Sequence, residues 1–468
     1  MHRRIAVILP LVITGAVGAQ APFTYIDTGQ KLGAAYSSFA ALGDLDDDGD
    51  LDAWVANYLG PNAVWLNDGD AGFGDSGQAL GQRNSFAVAL GDLDGDGDLD
   101  AWVANYDQPN SIWFNDGAGR FTDSGQTLGA ARSNGVALGD LDGDGDLDAY
   151  VSDGLGQPNT IWVNDGNGLF ADSGQRLGTG FSDWVALGDL DGDGDLDAWI
   201  ANEDEGNTVW TNDGSGRFTD TGQSLGTAAS FSVALGDLDG DDDLDAWVAN
   251  YSGQPNVVWL NDGDGFFSRT GQALGDNYSF TVALADVDED GDLDAWIANL
   301  LGPNLIWLND GTGVFVDSDQ TLGDRPSLAV ALGDLDGDGD PDAWVANDGD
   351  PNTVWRNLVR GACCIQGSCV QLQIETCLEI GGVYLGGACA IASCDDSDPT
   401  GACCTGNEVV CVPYTSTACI DLGGQWLGAG TSCVEAPCTT VCAGDTNGDG
   451  LVDVGDLLLV IANWNTCP

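Results

Sequence analysis

The chain has 468 residues, with 75 acidic and 12 basic side chains and a formal net charge of −63. A surface this negative repels phosphate groups, which argues against nucleic-acid binding and against attachment to anionic membranes. The only histidine is His2 and the only lysine is Lys31, which argues against serine–histidine or cysteine–histidine nucleophilic sites, histidine-ligated zinc and a P-loop.

Residues 1–19 predict a cleaved export signal. Arg3 and Arg4 precede an apolar stretch over residues 5–16, and Val17-Gly18-Ala19 offers small residues for cleavage. The alternative, a membrane anchor, is disfavoured because the apolar stretch is shorter than the ~20 residues that span a bilayer. We therefore expect a secreted or cell-surface protein without membrane insertion.

Residues 20–359 are dominated by a repeat with a period of 48 or 49 residues. The phrase Gly-Asp-Leu-Asp-Gly-Asp-Gly-Asp-Leu-Asp-Ala-Trp recurs, with variations, with its first Asp at 44, 92, 140, 189, 237, 286 and 334. Each unit contains four strand-like segments, which in the second unit are Ser85–Leu90, Ala101–Asn105, Ser111–Asn115 and Phe121–Gln126. Four-stranded units of this length predict an all-β fold, a seven-bladed β-propeller. A calcium-nonapeptide β-roll has a far shorter period, and an open solenoid would need polar capping repeats.

Aromatic side chains follow the same period. Trp occupies the third predicted strand of all seven units and the second predicted strand of six, with Tyr150 in the remaining unit. Such a stripe is more typical of core between blades than of a ligand platform, since each buried ring contributes about 2–3 kcal/mol.

The ends of the repeat region predict how the ring closes. Asn-Asp-Gly hairpins join the third and fourth strands of the first six units, but the seventh ends at Trp355-Arg356-Asn357 without one. A spare fourth strand, Phe23–Gln30, precedes the first unit. We predict that it completes the seventh blade beside Thr353–Leu358, because closure removes bare sheet edges. The alternative leaves Phe23–Gln30 in the first blade and three strands in the seventh.

The acidic phrase predicts a cation site in each unit. Within Asp92–Asp100, carboxylates stand at loop positions 1, 3, 5 and 9, and Gly97 at position 6 permits a sharp bend. Clustered carboxylates repel one another without a cation, at about 4 kcal/mol per pair at 4 Å and an effective dielectric constant near 20. Calcium fits better than magnesium because a flexible loop of oxygen ligands suits the larger ion. The alternative, a solvated acidic turn, does not account for seven copies at a fixed phase.

These units resemble the FG-GAP/VCBS repeats of integrin-α-type propellers, whose calcium loop is Asp-x-Asp-x-Asp-Gly-x-x-Asp. The resemblance covers residues 23–358 and implies Ca²⁺ held by side chains at positions 1, 3, 5 and 9. Asp242 replaces the position-6 Gly in the fifth loop, where a strained backbone is expected. The implied ligands are Asp44, Asp46, Asp48 and Asp52; Asp92, Asp94, Asp96 and Asp100; Asp140, Asp142, Asp144 and Asp148; Asp189, Asp191, Asp193 and Asp197; Asp237, Asp239, Asp241 and Asp245; Asp286, Asp288, Asp290 and Asp294; and Asp334, Asp336, Asp338 and Asp342.

All 14 cysteines lie in the tail, between Cys363 and Cys467. Residues 361–394 and 401–438 each contain six cysteines and begin with Gly-Ala-Cys-Cys. Modules this short need covalent staples, so we expect disulfides, and their connectivity is left open among 15 pairings for six cysteines. Zinc is the competing interpretation, disfavoured because the modules contain no histidine.

Residues 442–468 contain a loop with the pattern Asp-x-Asn-x-Asp-Gly followed by an apolar, helix-like stretch. This segment resembles one half of a dockerin, a shortened EF-hand, whereas dockerins that bind cohesins carry two halves. The resemblance implies a further calcium site with the candidate ligands Asp445, Asn447, Asp449, Asp453 and Asp456.

The sequence indicates three candidate functions. The first is a non-enzymatic, secreted, calcium-binding propeller for adhesion or protein interaction, with an extracellular protein or glycan as its ligand. The second is a lectin-like propeller whose loops, such as Gln108-Pro109-Asn110, bind glycans. The third is a polysaccharide lyase or hydrolase, which would need residues outside the repeat pattern to converge on one face; the candidates are Asp183, Glu203, Asp204, Glu205 and Arg325.

Overall fold

We describe a computed structural model of the chain, in which the described residues are 23–129, 132–203, 205–359 and six strands between 361 and 429. The chain divides into two compact units, one of Phe23–Val359 and one comprising Met1–Pro22 with Arg360–Pro468. Within the described residues every regular element is a strand. None of them belongs to a helix long and apolar enough to cross a membrane.

The first unit is built from 28 strands. In chain order they are β1 (Tyr25–Asp27), β2 (Tyr36–Gly43), β3 (Asp52–Tyr58), β4 (Ala63–Asn67), β5 (Phe73–Asp75), β6 (Ser85–Gly91), β7 (Asp100–Asn105), β8 (Ser111–Phe114), β9 (Thr122–Asp123), β10 (Ser133–Gly139), β11 (Asp148–Asp153), β12 (Thr160–Val163), β13 (Ala171–Asp172), β14 (Ser182–Gly188), β15 (Asp197–Asn202), β16 (Thr208–Asn212), β17 (Phe218–Asp220), β18 (Ser230–Gly236), β19 (Asp245–Asn250), β20 (Val257–Leu260), β21 (Ser268–Arg269), β22 (Ser279–Ala285), β23 (Asp294–Asn299), β24 (Asn304–Asn309), β25 (Phe315–Leu322), β26 (Ser327–Gly333), β27 (Asp342–Asn347) and β28 (Thr353–Asn357).

These strands form seven four-stranded antiparallel sheets. Blades 1 to 6 are β2–β5, β6–β9, β10–β13, β14–β17, β18–β21 and β22–β25, and blade 7 has the order β1-β28-β27-β26. The first strand of each blade lies innermost and contacts the first strands of both neighbouring blades, with β26 contacting β2. The ring is therefore closed, and the predicted seven-bladed β-propeller is confirmed.

The N-terminal strand closes the ring as predicted. Tyr25 pairs with Asn357 and Asp27 with Trp355, and the Thr28 amide extends the pairing by donating to the Val354 carbonyl at 3.0 Å. The alternative, with this strand in the first blade, is wrong. Tyr25 takes the place that Phe121 and its equivalents hold in blades 1 to 6.

A glutamine near the end of each fourth strand joins that blade to the next one. Gln78 of blade 1, for example, contacts two residues of blade 2. It accepts a hydrogen bond from the Phe121 amide at 2.9 Å and donates to the Gly119 carbonyl at 2.6 Å. The series continues through the closure, because Gln320 accepts from the Tyr25 amide at 3.1 Å and Gln30 accepts from the Phe73 amide at 2.9 Å. Sequence reasoning used this glutamine only to recognise the strand.

The aromatic stripe forms the core between blades. Trp54 of blade 1 is fully buried and packs edge-to-face on Phe121 of blade 2, with the ring centroids 6.4 Å apart. Trp102 lies in one core cluster with Val136 and Phe170 of blade 3. The predicted inter-blade role of these rings is confirmed.

One predicted element is too long. The fourth strand of the second sequence repeat, predicted as Phe121–Gln126, is only Thr122–Asp123 in the structure. The Asp123 carboxylate accepts a hydrogen bond from the Gly125 amide at 2.8 Å, and Gly125 adopts a φ of 75°, so a turn ends the strand there. The chain then returns to its neighbour for one bridge, Leu128 to Asn110.

In the second compact unit, which contains the cysteine-rich tail, six described strands form two three-stranded sheets with the orders β30-β29-β31 and β33-β32-β34. These strands are β29 (Gly361–Ile365), β30 (Ser368–Leu372), β31 (Val383–Tyr384), β32 (Thr400–Thr405), β33 (Val410–Thr415) and β34 (Gln425–Ala429). The shared order agrees with two copies of one module. The cysteine side chains that would form the expected disulfides, the export signal at 1–19 and the dockerin-like segment at 442–468 lie outside what the structure describes, so these three expectations stay predictions.

Candidate metal centres

Each acidic loop connects the first and second strands of its blade, and its own backbone curls around the carboxylate at position 1. In blade 2, Asp92 accepts hydrogen bonds from the Gly95 amide at 2.8 Å and the Gly97 amide at 3.1 Å. Asp96 in turn accepts from the Asp98 amide at 3.0 Å. This curl turns alternate side chains inward.

Three of the four predicted ligands come together in each of five loops as a result. In each cluster, oxygen atoms of three carboxylates lie within 4.8 Å of one another, and two more such groups occur among the described residues. Five of the clusters are Asp44, Asp46 and Asp48; Asp92, Asp94 and Asp96; Asp140, Asp142 and Asp148; Asp189, Asp191 and Asp197; and Asp237, Asp239 and Asp245. Positions 1, 3, 5 and 9 thus all contribute to one or another of these centres.

The carboxylate at position 3 carries the most direct indication of a cation. In all seven blades it has a buried oxygen without a hydrogen-bond partner, namely in Asp46, Asp94, Asp142, Asp191, Asp239, Asp288 and Asp336. Burial, followed by the neighbouring Asp48 and Asp44, raises the pKa of Asp46. A buried, unpaired carboxylate oxygen is costly, and a hard cation would remove that cost, so these residues fit calcium.

Position 9 has a second role that sequence reasoning missed. Asp52 is fully buried, and its two oxygens accept hydrogen bonds from the Leu45 amide at 3.0 Å and the Asn67 amide at 2.7 Å. Burial raises the pKa of Asp52 to about 6, although both amides act in the opposite direction. Because each carboxylate oxygen has two lone pairs, this anchoring remains compatible with metal binding.

The hairpin asparagine ties each centre to the preceding blade. The Asn115 side-chain amide donates to the Leu45 carbonyl of blade 1 at 2.9 Å and to the Leu99 carbonyl of its own loop at 3.2 Å. The same bond to the preceding blade recurs from Asn67, Asn164, Asn212, Asn261, Asn309 and Asn357. The sequence did hold a signal, because the seventh unit keeps Asn357 where no hairpin follows.

The fifth loop, expected to be strained, closes like the others. Asp242 adopts a φ of 72°, where Gly97 of the second loop has 99°. The Asp242 amide still donates to Asp237 at 3.0 Å, as Gly97 does to Asp92. The expected left-handed backbone is confirmed, and it leaves the carboxylate cluster intact.

The seventh loop differs from the other six at position 3. Asp334 accepts from the Gly337 and Gly339 amides, at 2.8 and 3.0 Å, as in other blades. Asp336, however, forms an ion pair with Arg356. The candidate ligands of the dockerin-like segment, Asp445, Asn447, Asp449, Asp453 and Asp456, lie outside the described residues.

Small clefts lie at the other end of the strands, beside third-strand tryptophans. Cavities of about 190, 160 and 80 Å³ are lined by Trp259, Trp162 and Trp355 respectively. In the blade 3 cleft, the buried Asp153 stands where blade 5 has Asn250. Burial raises the pKa of Asp153 to about 6.

The comparisons with known proteins agree with the geometry. Six overlapping stretches match the family described as FG-GAP-like repeat, at residues 44–103, 92–151, 140–200, 189–248, 237–297 and 286–345. The chain belongs to this family, as the resemblance predicted. No curated protein matches it.

Among solved structures, the chain is similar to BBS1N in complex with ARL6DN, in crystals soaked with mercury and in crystals soaked with lead. The TM-scores are 0.51 and 0.50 at 12% identity, with 72% and 73% of this chain and 96% of each of those chains covered. At this identity the likeness shows the propeller fold alone.

Proposed function

We propose that this protein is an exported, calcium-binding β-propeller that acts as an adhesion or protein-interaction module. The observation that carries the calcium proposal is the buried carboxylate oxygen at position 3, which in six of the described loops has neither a hydrogen bond nor an ion pair. Calcium would supply positive charge to these centres, while the chain's own Asp and Asn side chains position the loops. The cysteine-rich tail and the family's extracellular character support export.

The positions of the candidate catalytic residues support an interaction role over an enzymatic one. Arg325 lies between β25 of blade 6 and β26 of blade 7 and donates to the Pro351 carbonyl at 2.9 Å, whereas Glu203 and Glu205 lie between β15 and β16 of blade 4. Asp183 is buried against Asn134, and Asp204 lies outside the described residues. Since Asp183 is buried and bonded to Asn134, and Arg325 lies between blades 6 and 7, only Glu203 and Glu205 of blade 4 remain together among the described candidates, and we propose that the protein is not an enzyme.

Calcium binding is tested by metal analysis and thermal unfolding of the full chain with and without chelator. We expect affinities of about 10⁻⁴–10⁻³ M, and calcium at ten times the dissociation constant adds about 1.4 kcal/mol per site. Asp94→Asn should lose one ion per chain yet stabilise the calcium-free protein, because it removes a buried charge. Asp107→Asn, at an exposed loop outside the centres, is the control. A melting temperature that chelator leaves unchanged would refute the proposal.

The second candidate function is glycan binding, and the clefts beside Trp162 and Trp259 favour it. Each combines an indole ring with amide or carboxylate groups in a cavity below the ~300–1,000 Å³ of drug-sized sites, which suits a single sugar residue. A glycan array probed with the full chain tests it. A reproducible signal that falls when Gln254 and Gln157 of the clefts are changed to Ala would support glycan binding, and the absence of any signal would contradict it.

A further inference from the structure

The third strand of blade 7 carries a charge that the other blades lack. Arg356 directly follows Trp355 in β28. The residues at this place in blades 1 to 6 are all uncharged, namely Leu66, Phe114, Val163, Thr211, Leu260 and Leu308. In blade 1 this position lies close to the acidic loop, because the side chains of Leu66 and Asp46 both lie beside Gly119 of blade 2.

Arg356 occupies the place where the other loops leave a carboxylate oxygen unpaired. Its guanidinium forms an ion pair with Asp336 Oδ2, and the Asp336 side chain is only 1% exposed. The second oxygen, Oδ1, accepts from the Asp338 amide at 3.3 Å. Asp336 Oδ2 accepts no hydrogen bond, as in the other loops, but among the described carboxylates at position 3 it alone has a cationic side chain of the chain as its partner.

This arrangement does not fit a calcium site of the kind that the other loops offer. A calcium ion would have to displace the guanidinium from Asp336, or bind with one carboxylate fewer beside a fixed positive charge. Either course weakens binding at this loop relative to the other six, where the described residues place no arginine or lysine against the carboxylate at position 3.

We propose that the Arg356 guanidinium takes the place of the cation in the seventh loop, so that the propeller has six calcium sites and one internal ion pair. This inference rests on the proposed calcium binding. It also gives the blade that is closed by the N-terminal strand a positive charge that no chelator removes.

Calcium bound per full-length chain, measured by equilibrium dialysis and metal analysis, tests the inference. Arg356→Leu, which restores the residue of blades 1, 5 and 6, should gain one ion. The double variant Asp334→Ala/Asp338→Ala should lose none in the wild-type background but should remove the gained ion in the Arg356→Leu background. The matched double variant of the second loop, Asp92→Ala/Asp96→Ala, should lose one.

The outcomes separate the two proposals. If wild-type protein loses an ion when the seventh loop is changed, or if Arg356→Leu gains none, the substitution of arginine for calcium is overturned while calcium binding stands. If the wild type binds no calcium and the second-loop variant changes nothing, both proposals fail. Because Leu is native at this place in three blades, Arg356→Leu should fold, and its calcium content tests the inference even if the alanine variants do not fold.

Discussion

The closure of the ring depends on one aromatic side chain, and its removal is the most demanding test of the fold. Tyr25 is 4% exposed and lies between blades 6 and 7, where its ring packs edge-to-face on Trp296 at a centroid distance of 6.4 Å. Its hydroxyl donates to the Pro341 carbonyl at 2.5 Å. Tyr25 belongs to a three-residue strand that is joined to blade 7 only through non-covalent contacts.

The expected cost follows from these contacts. Replacing a buried aromatic ring with alanine costs about 3–5 kcal/mol, and the loss of one neutral hydrogen bond costs about 1 kcal/mol. Tyr25→Ala should therefore destabilise the propeller by at least 3 kcal/mol, and Tyr25→Phe by about 1 kcal/mol. Phe121→Ala is the matched control, because Phe121 packs on Trp54 in the same way in a blade whose strands are continuous in sequence.

Urea unfolding followed by tryptophan fluorescence measures the stability, and brief proteinase K digestion followed by mass spectrometry measures the closure. Both alanine variants should lose similar free energies of unfolding. Only Tyr25→Ala should become cleavable within residues 23–32 under native conditions, because β1 is freed locally. A Tyr25→Ala protein within 1 kcal/mol of the wild type, or with an N-terminus as resistant as that of Phe121→Ala, would refute the closure by β1.

Three further predictions concern the acidic loops and the tail. Burial raises the pKa of Asp52 to about 6 and of Asp100 to about 7, above the ~3.9 of an unfolded Asp. Because the folded state then binds more protons than the unfolded state, the calcium-free protein should lose stability as the pH rises from 4 to 8. Melting temperatures of dialysed protein, measured with enough salt to screen surface charges, check this, and a melting temperature that rises toward pH 8 would contradict it. Asp242→Gly should stabilise the fifth blade by up to about 1 kcal/mol by relieving the left-handed backbone, whereas Gly97→Ala should destabilise the second, as urea unfolding would show. Alkylation of the exported protein should find no free thiol in the tail, and several modified cysteines or bound zinc would contradict the disulfide prediction.

The number of blades and their core were accessible from the sequence because each unit repeats the same local signals. A period of 48 or 49 residues with Asn-Asp-Gly turns predicts four short strands per unit. The closure was accessible for the same reason, since a fourth strand is missing at one end and spare at the other. These inferences need only order along the chain and the cost of a bare sheet edge.

The contacts between blades could not be read in the same way, because they join residues about 40 to 70 positions apart. Gln78 reaches Phe121, and Asn115 reaches Leu45. Both residues have an ordinary local interpretation, in a strand end and a turn, that hides the longer bond. The double use of Asp52 was hidden likewise, because a carboxylate in a calcium-loop pattern already had an explanation.

The seventh unit shows how an internal repeat can reveal such hidden roles. It lacks the third hairpin, so any residue that served the turn alone would be free to change there. Asn357 is kept, and its amide groups still bond Asp342 at 2.7 Å and the Val287 carbonyl of blade 6 at 2.8 Å. The asparagine therefore anchors the loop to the preceding blade even where no turn follows. The neighbouring position shows the converse, because Arg356 replaces an uncharged residue just where Asp336 would otherwise lack a partner. A residue that departs from the repeat and contacts a residue that every unit keeps points to a contact that the consensus sequence alone does not contain.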